Sequence, residues 1–269
     1  MKSVPSTHYN QKYFQEMFKS PQLDTKPKLS DFSRKYKELS SLLKLKKGDS
    51  VVDFACGNAD LSFYLSLLYN PHITAIDYSK DAIKIATTKL KKFSQHYQDK
   101  HITLIHSDNQ HLPKLNNIKA IYLADVVEHL YPQELESLLK IFSQWGTNPY
   151  LLIHTDNSLY QFLIRPFLNL AQLIFHPSSY KKIFASLQMD YRMHINLTNP
   201  RKLKRTLEKQ NYYHLKTLYP SINPETIKNQ LGPLSKISFL NKVLLLILPK
   251  LQFLLPSFYS LYQYKADHS

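Results

Sequence analysis

Four short runs in this 269-residue chain have the residue types and spacing to do chemistry. The first is Ser50-Val51-Val52-Asp53-Phe54-Ala55-Cys56-Gly57-Asn58-Ala59-Asp60, where an acidic residue precedes small residues at 55, 57 and 59. A turn lined by small residues lets a ligand lie against bare backbone, because no side chain holds it off. Asp53, near a strand end, is placed to accept from loop amides and order the turn. Gly57 is free to take positive φ, whereas Ala55 and Ala59 replace glycine only if φ is negative and a methyl group fits. The second run is Asp77-Tyr78. It lies about 20 residues beyond Gly57, the separation at which an acidic residue accepts both ribose hydroxyls of a nucleoside. Tyr78 can pack on an adenine or cover the sheet edge, and Asp77 also suits a helix cap before Lys80. The third run, Ser107-Asp108-Asn109, offers a carboxylate and an amide to an adenine amine, or makes an ordinary polar turn. The fourth is Ala124-Asp125-Val126-Val127-Glu128-His129-Leu130.

These runs need elements to hold them. Val51–Phe54, short, apolar and β-branched at its start, and 72–77, 102–106, 120–123 and 150–154 read as strands. Between them, Leu61, Tyr64, Leu65 and Leu68 fall on one helix face. Ile83, Ala86, Leu90 and Phe93 mark a second helix, and Leu135, Leu138, Leu139 and Phe142 a third. Strands alternating with helices predict βαβ units and a mostly parallel sheet with helices on both faces. Each run then falls at the carboxyl end of a strand, where open α/β sheets bind ligands. After His154, Leu159–Phe175 reads as an apolar helix broken or bent at Arg165-Pro166. Asn199-Pro200 reads as a helix start, and 213–219 and 257–264 as two further strands. An apolar helical insert, about 221–256, precedes the last strand and is too interrupted to span a bilayer.

The ordered set of runs resembles the class I S-adenosylmethionine (SAM) methyltransferases over residues 45–155. Their first motif is Asp/Glu-x-Gly-x-Gly-x-Gly, and two of its three glycines are alanines here. The resemblance implies an α/β, Rossmann-like, seven-stranded, mostly parallel sheet in one domain spanning 1–269. Its parts would be an N-terminal helical segment to 44, a SAM-binding half at 45–155 and a substrate-side half at 156–269. It implies SAM as cofactor, held by Asp53, Ala55, Gly57, Asp77, Tyr78, Asp108, Asn109 and Ala124. Asp-Val-Val-Glu-His-Leu looks most like the branch of ubiquinone-pathway O-methyltransferases and related small-molecule enzymes. That branch implies methyl transfer to a small or lipid-like acceptor at oxygen. A hydroxyl acceptor needs a base, and His129, then His154, are the candidates at the strand rim. Either histidine also suits a capping or packing role. Asp125, Glu128, His129 and a later His194 resemble a metal set of some related families, in which the first residue is Glu. That set suits Zn²⁺ or Mn²⁺, but the expectation is no metal. No Asn/Asp-Pro-Pro-Tyr/Phe follows strand four, which disfavours amino methylation.

Composition narrows the partners. The net charge of +15 points to an anionic partner or to a well-solvated, lysine-rich surface. The Arg201-Lys202-Leu203-Lys204-Arg205 cluster keeps RNA as an alternative acceptor. A third alternative is an inactive SAM-fold binding protein, motivated by Ala55 and Ala59. One cysteine, Cys56, excludes an intramolecular disulfide. The start lacks the apolar run of a signal peptide, so the expected location is cytoplasmic, with peripheral membrane contact through 236–256.

Overall fold

The computed structural model describes residue 13 and residues 23–97, 101–107, 111–175, 177–221 and 250–266. Asp108, Asn109 and most of the apolar insert lie outside the described residues.

Strands and helices alternate. Helix α1 (Arg34–Ser40) leads into β1 (Ser50–Phe54), α2 (Asp60–Tyr69), β2 (His72–Asp77), α3 (Lys80–His96) and β3 (His101–His106). Then come β4 (Ile118–Ala124), α4 (Pro132–Ser143) and β5 (Tyr150–Asp156). The second half holds α5 (Arg165–Phe175), α6 (Tyr180–Met193), α7 (Pro200–Glu208), β6 (Tyr212–Leu218) and β7 (Ser257–Tyr264). The seven strands form one sheet in the order β3-β2-β1-β4-β5-β7-β6. The first five pair in parallel, and β7 inserts antiparallel between β5 and β6.

Side-chain alternation along the strands divides the core into two layers. Val51, Tyr122 and Leu152 point to the face covered by α1, α2 and α3, where they join Leu39, Phe63 and Phe93. Their neighbours Val52, Ile121, Leu123 and Ile153 point to the other face and meet Leu138 and Phe142 of α4 and Leu203 of α7. Burial on both faces explains why these strands are continuous apolar runs. The strand order reverses between β1 and β4, and a crevice at such a reversal is the ligand site of open α/β sheets. The bend foreseen at Arg165-Pro166 is a π-helical turn, Tyr160–Ile164, that runs directly into α5. Asn199 caps α7 as expected, its side-chain oxygen accepting from the Lys202 amide at 3.0 Å.

Candidate active site

The small-residue turn links the end of β1 to the start of α2. Gly57 has φ +54°, as foreseen, but Ala55 (+57°) and Ala59 (+62°) are also left-handed. The expectation that alanine is accommodated only at negative φ is therefore corrected. The turn keeps a glycine-like path and accepts Cβ strain of about 1–2 kcal/mol at each alanine. What holds it there is a set of bonds from the neighbouring strand ends. The Cys56 amide donates to the Ile76 carbonyl at 3.0 Å. The Gly57 amide donates to Asp77 Oδ2 at 2.8 Å, and the Ser79 amide to Oδ1 at 2.8 Å.

Asp77 is thus a loop organiser at the reversal, with both carboxylate oxygens already accepting and a second lone pair left on each. Burial raises its pKa against the pull of those amides. Asp53 is buried below the turn. It accepts from the Ser62 hydroxyl at 2.6 Å, tying β1 to the first turn of α2 rather than to the loop amides expected of it. Burial, then Asp77, push its pKa up to about 7 against the Ser62 bonds. Ala55, Gly57, Tyr78 and Ala124 are half-buried around this crevice. The Tyr78 carbonyl accepts from His106 Nε2 at 3.2 Å. Half-exposed backbone at the turn and a carboxylate at the end of β2 fit a ribose-bearing cofactor.

The second cluster sits at the ends of β4 and β5. Asp125 has φ +60°. Its amide donates to the His154 carbonyl at 3.0 Å, and its carboxylate accepts from both His154 Nδ1 and Lys35 Nζ. Burial works against the ionised form of Asp125, but Lys35 and His154 outweigh it and hold the group well below the usual carboxylate range. Lys35, on α1, is in turn raised: burial lowers it, and the Asp125 charge overrides that. An ionised Asp125 can only accept, so His154 Nδ1 carries the proton and Nε2 is the basic nitrogen. The His154 ring packs on Tyr259 of β7, centroids 4.6 Å apart.

Glu128 lies behind this pair and accepts from the Thr155 hydroxyl at 2.6 Å. Burial, then Asp125 and Asp156, raise its pKa well above the ordinary value. The pKa values of two neighbouring carboxyl groups are thereby driven in opposite directions, as is common in acid–base sites. Tyr13 also faces the cluster, and burial, Asp125 and Glu128 push its pKa up to about 12.

His129 is turned elsewhere. Its Nδ1 donates to the Met193 carbonyl at 2.9 Å, and its ring meets His194 edge-on at 5.0 Å. His194 Nδ1 lies 3.6 Å from Asp156. Asp125 and Glu128 are thus engaged by Lys35, His154 and Thr155, while His129 and His194 form a separate pair. Among the described residues no group of three or more His, Cys, Asp or Glu is arranged to hold a metal ion. Lys35, Tyr13, Ser62, Thr155 and Tyr259 were not foreseen. The sequence carries no local signal for Lys35, which sits 90 positions before Asp125 in the N-terminal helical segment.

A family model described as a methyltransferase domain matches residues 51–145, the span from β1 to the end of α4. That stretch is a methyltransferase domain of class I. The sheet around it is the class I fold, with the small-residue turn, Asp77 and the Ala124–Asp125 run at the carboxyl ends of β1, β2 and β4. Curated relatives include demethylmenaquinone methyltransferase of Listeria welshimeri, 32% identical over 83 residues, or 30% of this chain and 34% of that one. The chain thus aligns with about a third of that relative's length. Solved structures with the same fold include geranyl diphosphate C-methyltransferase from Streptomyces coelicolor, in complex with Mg²⁺, geranyl-S-thiolodiphosphate and S-adenosylhomocysteine. It has a TM-score of 0.58 at 9% identity, covering 86% of this chain and 75% of that one. A SAM-dependent methyltransferase from Aquifex aeolicus aligns over 97% of both chains, with a TM-score of 0.54 and 13% identity. At these identities the match carries the methyltransferase fold and not the acceptor.

Proposed function

We propose that this protein transfers a methyl group from SAM to a small or lipid-like acceptor, at oxygen, with His154 as the base. The observation that carries the reading is the Lys35–Asp125–His154 chain at the ends of β4 and β5, beside the glycine-like turn. Asp53, Ala55, Gly57, Asp77, Tyr78 and Ala124 would hold the cofactor, with Asp108 and Asn109 assigned from sequence alone. When bound, SAM supplies an electrophilic methyl group. Asp77 orients the nucleoside end through lone pairs that its amide bonds leave open. His154 Nε2 takes the proton of the acceptor hydroxyl, and Asp125 stabilises the imidazolium that results. Lys35 keeps Asp125 ionised and so keeps His154 in the useful tautomer.

His154 is preferred to His129 because Asp125 orients its ring, whereas His129 Nδ1 is committed to the Met193 carbonyl. A lipid-like acceptor is supported by the relatives, whose names give demethylmenaquinone and geranyl diphosphate as their substrates. Titration calorimetry with S-adenosylhomocysteine comes first, and absence of binding rejects the reading outright. Transfer of labelled methyl is then measured to reduced demethylmenaquinone, whose quinol hydroxyls are the acceptors, and to other phenols. His154→Gln should lower kcat by roughly 10²–10⁴-fold, the usual worth of a general base, and leave S-adenosylhomocysteine affinity within about threefold. A His154→Gln variant with full kcat removes His154 from the chemistry.

A further inference from the structure

The segment between β5 and α7 carries an apolar face that the described residues leave uncovered. Leu163, Phe167, Leu170 and Ile174 recur at helical spacing along one side of the π-turn and α5, and Phe167 is 73% and Ile174 66% exposed. Phe162, beside them, is 68% exposed. On α6, Tyr180, Phe184 and Leu187 repeat the same pattern, and each is exposed. The two helices are tied together, because Arg165 donates to Gln161 at 2.7 Å and to Ser186 at 2.9 Å. Gln161 also donates to Asp156 at 3.0 Å, which fixes the start of the segment to the end of β5. Scattered exposed apolar residues are ordinary, but two parallel stripes on linked helices are not.

Charge identifies the occupant. Between 159 and 193 the sequence has Arg165, Lys181, Lys182 and Arg192 against a single acid, Asp190. The neighbouring helix α7 is joined to the base of the segment, since the Ser158 amide donates to the Thr198 carbonyl at 2.6 Å. α7 buries Leu203 and Leu207 and turns Arg201, Lys202, Lys204 and Arg205 outward. An apolar stripe beside basic side chains is the pattern of a helix lying in an anionic bilayer surface. A second copy of the chain is disfavoured, because two chains of net charge +15 repel.

We propose that α5 and α6 dock this protein on the surface of an anionic membrane, with their apolar stripes in the acyl boundary and α7 facing the headgroups. The surface differs from the 236–256 stretch that the sequence suggested. It also stands apart from the reading of the reaction, since it requires no methyl transfer. The test is co-sedimentation of the full chain with vesicles of phosphatidylcholine alone and of phosphatidylcholine with phosphatidylglycerol. The wild type should partition at least tenfold more strongly onto the anionic vesicles, and high salt should weaken that binding. The exposed double variant Phe167→Ser/Leu170→Ser should lose at least tenfold, and Phe184→Ser severalfold, with unchanged circular dichroism and thermal midpoint. The proposal is overturned if the wild type ignores anionic vesicles. It is equally overturned if the folded variants bind as well as the wild type. Conversion of a solution dimer to a monomer by the same variants, without vesicle binding, would assign the face to a second copy instead.

Discussion

Replacing Ala55 and Ala59 by glycine separates backbone strain from packing at the cofactor turn. Both residues sit in the left-handed region, at φ +57° and +62°. An L-residue there costs about 1–2 kcal/mol relative to its right-handed form. Glycine removes that cost but loses about 0.5–1 kcal/mol through its freer unfolded chain. At position 55, where the side chain is half-buried, the balance favours glycine, and Ala55→Gly should gain about 0.5–1 kcal/mol. Ala59 is completely buried in the layer with Phe63 and Leu65. Deleting its methyl group forfeits about 0.8 kcal/mol of burial and adds a small void. Ala59→Gly should therefore be neutral or lose a few tenths of a kcal/mol, leaving the two variants roughly 1 kcal/mol apart. Guanidinium unfolding followed by circular dichroism reads this difference as a shift in midpoint at constant slope. S-adenosylhomocysteine affinity should stay within about threefold for Ala55→Gly, because glycine populates positive φ at no steric cost. A clear loss of stability in Ala55→Gly would refute the strain assignment.

Two further outcomes follow from the buried charges. Asp53 has a folded pKa near 7 against an ordinary 3.8, so the folded state binds more protons between those values and stability falls as pH rises from about 4 to 7. The single-site contribution is at most about 4 kcal/mol, and urea midpoints of Asp53→Asn across that range should show a flatter profile than the wild type. For the Lys35–Asp125 pair, a double-mutant cycle with Lys35→Met and Asp125→Asn should return a favourable coupling of about 1.5–3 kcal/mol by denaturant unfolding. A coupling near zero would reduce the pair to a surface contact.

The parallel half of the fold was legible because its strands are buried on both faces and so are written as uninterrupted apolar runs. His72–Asp77 and Ser257–Tyr264 fall at their expected bounds. Asp77 and Gly57 were legible as a pair because their spacing reflects one βαβ step, and the bond between them closes that step. The conformation of Ala55 and Ala59 was not legible, since local preference argues against positive φ for alanine. Tertiary bonds from Ile76 and Asp77 override it. Lys35 was hidden for another reason. A lysine in an amphipathic helix is ordinarily solvated, and only the packing of α1 beside β5 brings it to Asp125. His129 drew attention through its motif, yet the backbone after Val126 turns it to Met193.

The reactive end of the site is assembled from three separate parts of the chain, and their order of dependence matters. Helix α1 brings a lysine to the end of β4, and that positive charge keeps Asp125 ionised where burial favours its neutral form. An ionised Asp125 accepts a hydrogen bond from His154 Nδ1, which leaves Nε2 for the base role proposed above. The same negative charge reaches Glu128 and adds to burial in raising the pKa of that group. Lys35 therefore acts on His154 and Glu128 through Asp125. Loosening α1 would release Asp125 first, then the tautomer of His154. The packing of an N-terminal helix and the tautomer of a histidine on β5 are in this way one physical variable.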